Sequence, residues 1–98
     1  MSEEADDLTS LSLRIEGFVQ AVGYRHFAIE EARRLGLDGW IRNRADGSVE
    51  VLVSGTTKAV ETFIGACGRG PSGATIRHID LKKADPPDEK GFRRRPSV

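Results

Sequence analysis

This 98-residue sequence is short of several things, and each shortage narrows the field. It has a single cysteine, Cys67, so no disulfide can form within the chain, which fits a reducing compartment. Lysine plus arginine and aspartate plus glutamate are equal at 15 each, so no excess of positive charge exists to favour nucleic acid or an anionic membrane. No apolar run approaches the ~20 residues of a membrane span. Residues 1–7 are acidic and contain no apolar segment of the signal-peptide kind. Aromatic residues are scarce, and residues 49–54, which read as a strand, have none. The exposed sheet aromatics of an RNA-binding domain are therefore missing. There is no Cys/His cluster and no calcium-loop spacing, so no metal site and no cofactor are expected. The expectation is a cytoplasmic monomer that binds neither nucleic acid nor membrane.

The length suits one domain with its own core. Residues 1–9 read as a flexible acidic tail, residues 10–93 as the domain and residues 94–98 as a basic tail. Leu11, Leu13 and Ile15 alternate with polar residues, as in a strand with one buried face. From Tyr24 the spacing becomes helical through Phe27, Ala28, Ala32 and Leu35, with Gly36 as the stop. Trp40 and Ile41 open a second strand, and Val49, Val51 and Val53 mark a third. Asp46-Gly47 between them is a hairpin signal. Val60, Phe63, Ile64 and Cys67 give a second helix, N-capped by Thr56 or Thr57. Ala74, Ile76, Ile79 and Leu81 predict a fourth strand whose phase slips between Ile76 and Ile79, so an irregularity is expected there. A short fifth strand is expected around Phe92. This order predicts a ferredoxin-like α+β sandwich, βαββαβ: an antiparallel sheet, the first and third strands central, and both helices on one face.

The joint between the first strand and first helix reads Gly17-Phe18-Val19-Gln20-Ala21-Val22-Gly23-Tyr24-Arg25. A glycine-bearing loop running into a helix N-terminus can gather unpaired amides at the positive end of the helix dipole. Val19 and Val22 can hold the loop to the core, and Gln20 can brace it. Arg25 adds a planar fork of donors that fits two phosphate oxygens. The residues point to a pocket for a phosphoryl group, although many such joints serve only structure. The P-loop and dinucleotide-binding patterns are both absent, so a nucleotide is not the natural ligand.

This stretch resembles the acylphosphatase signature G-x-V-Q-G-V-G-(F/Y)-R. A second stretch, Gly39-Trp40-Ile41-Arg42-Asn43 continuing into Asp46-Gly47-Ser48-Val49-Glu50, is similar to the family's other signature. The resemblance covers roughly residues 10–93. It implies the same ferredoxin-like fold and hydrolysis of an acyl phosphate to a carboxylate and inorganic phosphate, without metal. In that reading residues 18–24 (Phe18, Val19, Gln20, Ala21, Val22, Gly23 and Tyr24) form the phosphate-binding loop. Arg25 and Asn43 are catalytic, the arginine neutralising phosphoryl charge and the asparagine orienting the attacking water. Taken without the resemblance, Asn43 reads first as a polar residue satisfying backbone groups beside a hairpin. A related domain is found within a larger hydrogenase-maturation carbamoyl transferase. Carbamoyl phosphate, acetyl phosphate and 1,3-bisphosphoglycerate are the substrates the resemblance brings into view.

Two departures stand out. The usual middle glycine of the loop is Ala21, which is strained if that position needs positive φ. The ending RRRPSV is more basic than the family's closing strand. The alternative that Ala21 supports is a non-catalytic anion-binding or interaction module. Period two puts Trp40 and Arg42 on one face and Ile41 and Asn43 on the other. Arg42 and Arg44 read as solvated charges, Cys67 as a buried small hydrophobe, and His26 and His78 as residues without a covalent role.

Overall fold

The computed structural model describes residues 7–98. Its elements are β1 (Leu8–Phe18), α1 (Tyr24–Arg34), β2 (Asp38–Asn43), β3 (Val49–Thr56), α2 (Thr57–Arg69), β4 (Thr75–Lys83) and β5 (Phe92–Arg94). They form one five-stranded sheet in the order β4-β1-β3-β2-β5, with β1 and β3 inside as the periodicity predicted. The two helices lie against one face and touch each other. The expected fold class is present, with one correction. The sheet is mixed rather than antiparallel, because β5 runs parallel to β2, pairing Phe92 with Gly39 and Arg94 with Ile41.

The core follows from the alternation. Leu13 and Ile15 of β1, Ile41 of β2, and Val49, Val51 and Val53 of β3 are fully covered by the helices. Burying each such side chain stabilises the fold by about 1.5–3 kcal/mol. Phe63 of α2 meets the Phe92 ring at 5.8 Å between centroids, so the short β5 is held to the core by one aromatic contact. The polar partners of the alternation face away from the helices. There Glu50 accepts from Arg42 Nε at 2.8 Å and from Arg44 Nη1 at 3.0 Å, so these two arginines are paired across the hairpin rather than freely solvated. Trp40 lies under the guanidinium carbons of Arg42 and Arg95, at 4.8 and 5.0 Å from its ring.

The predicted slip in β4 is real. Glu16 faces His78 while Gly17 faces Ile76, so Arg77 is an extra residue in the ladder. Gly17 is required at this bulge, since a Cβ there would collide with the Thr75 carbonyl oxygen. The two chain ends differ from expectation. β1 already begins at Leu8, so residues 8 and 9 are strand, while residues 1–6 of the anticipated tail lie outside the described residues. At the other end Arg94 belongs to β5. Beyond it Arg95 N donates to Ile41 O at 2.9 Å and Val98 N to Asn43 O at 3.0 Å. Backbone pairing along the edge of β2 holds this segment despite its charge.

Candidate active site

β1 ends at Phe18 and α1 begins at Tyr24, leaving residues 19–23 as the turn between them. Val19 is 1% exposed and pins the turn to the core. Gln20 braces it as anticipated: its Nε2 donates to Arg44 O at 2.9 Å and to Ser48 O at 2.8 Å. These bonds tie the turn to the β2–β3 hairpin. Ala21 has φ 64° and Gly23 has φ 77°, so the turn makes two left-handed steps before entering the helix. Ala21 thus takes up the conformation a glycine would adopt, at a steric cost of roughly 1–2 kcal/mol. The left-handed bend survives the substitution, so the loop keeps the shape that a glycine would give it.

Hydrogen bonding at this joint is one-sided. None of the amides of residues 19–23 donates to a backbone carbonyl among the described residues. The first intrahelical bond is Phe27 N to Gly23 O at 3.0 Å, so the amides of Tyr24, Arg25 and His26 have no partner within the helix either. Gly23 has no side chain to cap them, and the first turn contains no acidic residue. The joint is a set of donors at the positive end of a helix dipole with no acceptor supplied by the described part of the chain.

Val19, Ala21, Gly23, Tyr24 and Arg25 line one cleft of about 200 Å³, together with His26 and Arg94. Size does not single it out. A depression of about 350 Å³ beside Trp40 and residues 85–89 is larger, but no helix begins there and three carboxylates line it, Asp85, Asp88 and Glu89. Arg25 is partly buried, and its guanidinium is held below the usual arginine range, first by burial and then by the neighbouring charge of Arg94. His26 is largely exposed, with Nε2 3.5 Å from Glu30 Oε2 one turn along α1. Tyr24 contributes its backbone to the cleft and its ring to the core. Its hydroxyl donates to Cys67 O at 2.8 Å, and burial raises its pKa. Cys67 is buried, and that burial pushes its thiol up to about 12, so it remains neutral and packed as the sequence suggested.

The remaining residues anticipated for the site are not in the cleft wall. Phe18 is 62% exposed where β1 ends, Gln20 points to the hairpin, and Val22 packs partly against the core. Asn43 lies on the same face of β2 as the buried Ile41, one residue before the Arg44 carbonyl that Gln20 holds. Its Oδ1 is buried and has no hydrogen-bond partner among the described residues. An orphaned buried acceptor is costly unless something else fills it. Arg94 is the lining residue that sequence reasoning missed. The available signal was the alternation from Phe92, which returns Arg94 to the helix-covered side of the sheet. Among the described residues no group of three or more His, Cys, Asp or Glu is placed to hold a metal ion, and no helix is long and apolar enough to cross a membrane.

Known proteins resemble this chain over most of its length. An acylphosphatase of Rhodospirillum rubrum is 44% identical over 91 residues, covering 93% of this chain and all of the relative. An acylphosphatase of an Acidovorax species is 44% identical over 98 residues, covering the whole of both chains. The structure of an acylphosphatase from Coxiella burnetii superposes with a TM-score of 0.86 at 25% identity, over 97% of this chain and 100% of that one. The family model for acylphosphatase matches residues 11–94, which takes in both signature stretches, most of β1, every later element to β5 and the uncapped joint between β1 and α1: the chain belongs to the acylphosphatase family.

Proposed function

We propose that this chain hydrolyses the carboxyl-phosphate bond of small acyl phosphates, giving a carboxylate and inorganic phosphate. The observation that carries the reading is the row of unpartnered amides at the uncapped start of α1, beside a guanidinium that has no carboxylate partner among the described residues.

A phosphoryl dianion seated on the amides of residues 19–25 satisfies donors that are otherwise orphaned. Arg25 neutralises charge on two of its oxygens. Asn43 orients a water through its side-chain amide so that the water oxygen faces phosphorus. The water oxygen bonds to phosphorus as the bond to the acyl oxygen breaks in line with it. The electron pair leaves on the carboxylate, and the proton of the water passes to phosphate oxygens or solvent. A carboxylate is a weak base, so its departure needs no strong general acid. Phosphoryl transfer of this kind is accelerated by positioning and charge stabilisation, which amides, Arg25 and Asn43 supply. The reading assigns no step to a metal, and it places the enzyme in the cytoplasm as a monomer acting on a small soluble substrate.

The deciding experiment measures phosphate release from benzoyl phosphate and from a phosphomonoester, each with chelator present. Strong preference for the acyl phosphate, undiminished by chelator, is expected. Equal rates on both, or loss of activity with chelator, would overturn the reading.

A further inference from the structure

We propose that Arg94 is a second substrate-binding guanidinium of this site, closing on the phosphoryl group together with Arg25. The inference rests on the site assignment above and adds to it a residue from the last strand.

Three consecutive arginines end β5, and the pleat sends them to different places. Arg93 turns away from the helices, where its Nη2 donates to Lys90 O at 2.7 Å and its Nη1 lies 2.7 Å from Glu89 Oε1. Arg95 stacks on Trp40. Arg94, between them, shares the face of the buried Phe92 and lines the cleft with Ala21, Gly23 and Arg25. The first two have partners that explain them. Arg94, like Arg25, has no carboxylate within ion-pair distance among the described residues, whereas Arg14, Arg34, Arg42, Arg44 and Arg93 each have one. Two guanidiniums at one small cleft repel each other while it is empty, and the positive end of α1 adds to that field. The proton affinity of Arg25 is lowered first by its burial, and the neighbouring charge of Arg94 adds to that. Only an anion between them turns the arrangement favourable, and a phosphoryl dianion supplies a charge for each. The register fixes this geometry: Arg94 pairs with Ile41 across the parallel ladder, on the strand that carries Asn43 two residues on.

The test compares Arg94→Ala, Arg94→Lys and Arg93→Ala. The readouts are KM and kcat for benzoyl phosphate, Ki for inorganic phosphate, and Tm with and without phosphate. Arg94→Ala is expected to raise Ki and KM by about tenfold, the weight of one charge-assisted hydrogen bond, with a smaller fall in kcat. Arg94→Lys should recover part of that loss, and Arg93→Ala should change neither constant. In phosphate-free buffer the Tm of Arg94→Ala should equal or exceed that of the parent, because the repulsion is relieved. The rise in Tm that phosphate produces should shrink. A Ki for Arg94→Ala within twofold of the parent would refute the proposal. So would an equal effect from Arg93→Ala, which would mean a diffuse field, or a fall in Tm with Ki unchanged, which would mean a structural role. If the parent bound phosphate but failed to hydrolyse benzoyl phosphate, the activity reading would fall, and the phosphate-dependent Tm shift would still decide the role of Arg94.

Discussion

The molecule contains two strand-to-helix joints in corresponding halves of its fold, and they are finished in opposite ways. From β3 into α2 there is no intervening loop. Thr56 ends the strand, and its Oγ1 accepts from Ala59 N at 3.2 Å. Thr57 N donates to Asp7 O at 3.1 Å, and the Thr57 and Thr9 hydroxyls lie 2.7 Å apart. From β1 into α1 the chain makes two left-handed steps, presents a glycine as N-cap and leaves its amides without acceptors. The α2 joint finds acceptors within the chain for the amides of Thr57 and Ala59, so these polar groups contribute to holding the fold. The α1 joint keeps its donors open, and it is there that a ligand can supply what the chain withholds.

The sharpest way to separate the joints is to remove Arg25. Losing a preorganised donor to developing charge costs roughly 10²–10³ in rate, so Arg25→Ala should lower kcat/KM for benzoyl phosphate by about that factor. Its urea midpoint should stay close to the parent's. Near-parental kcat/KM would mean that the open joint is not the reacting centre. The reciprocal change is Thr56→Ala, which removes the α2 cap. A lost threonine cap costs about 1 kcal/mol, visible in chemical denaturation, while kcat/KM should be unaltered. A drop in activity matching that of Arg25→Ala would erase the distinction between the joints. Ala21→Gly addresses the strain in the open joint. Relief of the left-handed alanine is partly offset by the greater freedom of glycine in the unfolded chain. The net gain in stability should be under about 1 kcal/mol, and a loss would show that the methyl group is a packing element.

Acid gives the mildest separation. The Ser48 hydroxyl and amide, and then Arg14, hold Asp46 at about 2, below its ordinary 3.8. A depressed carboxylate contributes stability above its unfolded pKa and loses it as pH falls through the folded value. The difference between Asp46→Asn and the parent in urea midpoint should therefore be full at pH 7 and shrink between about 3.8 and 2. This turn carries the carbonyls that hold Gln20, so acid should loosen the α1 joint before the α2 joint. A difference independent of pH would place the stabilisation in packing instead.

Sequence reading reached these joints unequally, for physical reasons. The Thr56 cap, the Asp46-Gly47 turn and the slip at Ile76–Ile79 are local, and periodicity or side-chain chemistry exposes each of them. The burial of Cys67 was legible for the same reason, whereas the chemistry of Gln20 suggested a brace without naming its distant partners in the hairpin. β5 was located by a single aromatic, but its parallel direction depends on pairing with β2 some fifty residues away, and no local pattern encodes that. Reading residues 94–98 as a basic tail followed from charge, and edge pairing overrode the charge. The place of Arg94 in the cleft was missed with it. The orphaned Oδ1 of Asn43 is a property of three-dimensional packing and has no signature in one dimension.

The parallel β5 has a consequence for how the molecule behaves in a crowd of its own copies. A sheet exposes raw edges that can recruit further strands. One flank here is β4, interrupted by its bulge and carrying Lys82 and Lys83 near its end. The other would be β2, with apolar Ile41 next to a bare ladder, if β5 and the residues after it did not cover it. Trimming the chain before Phe92 would uncover that flank and turn a self-contained sheet into a template for stacking and fibre growth.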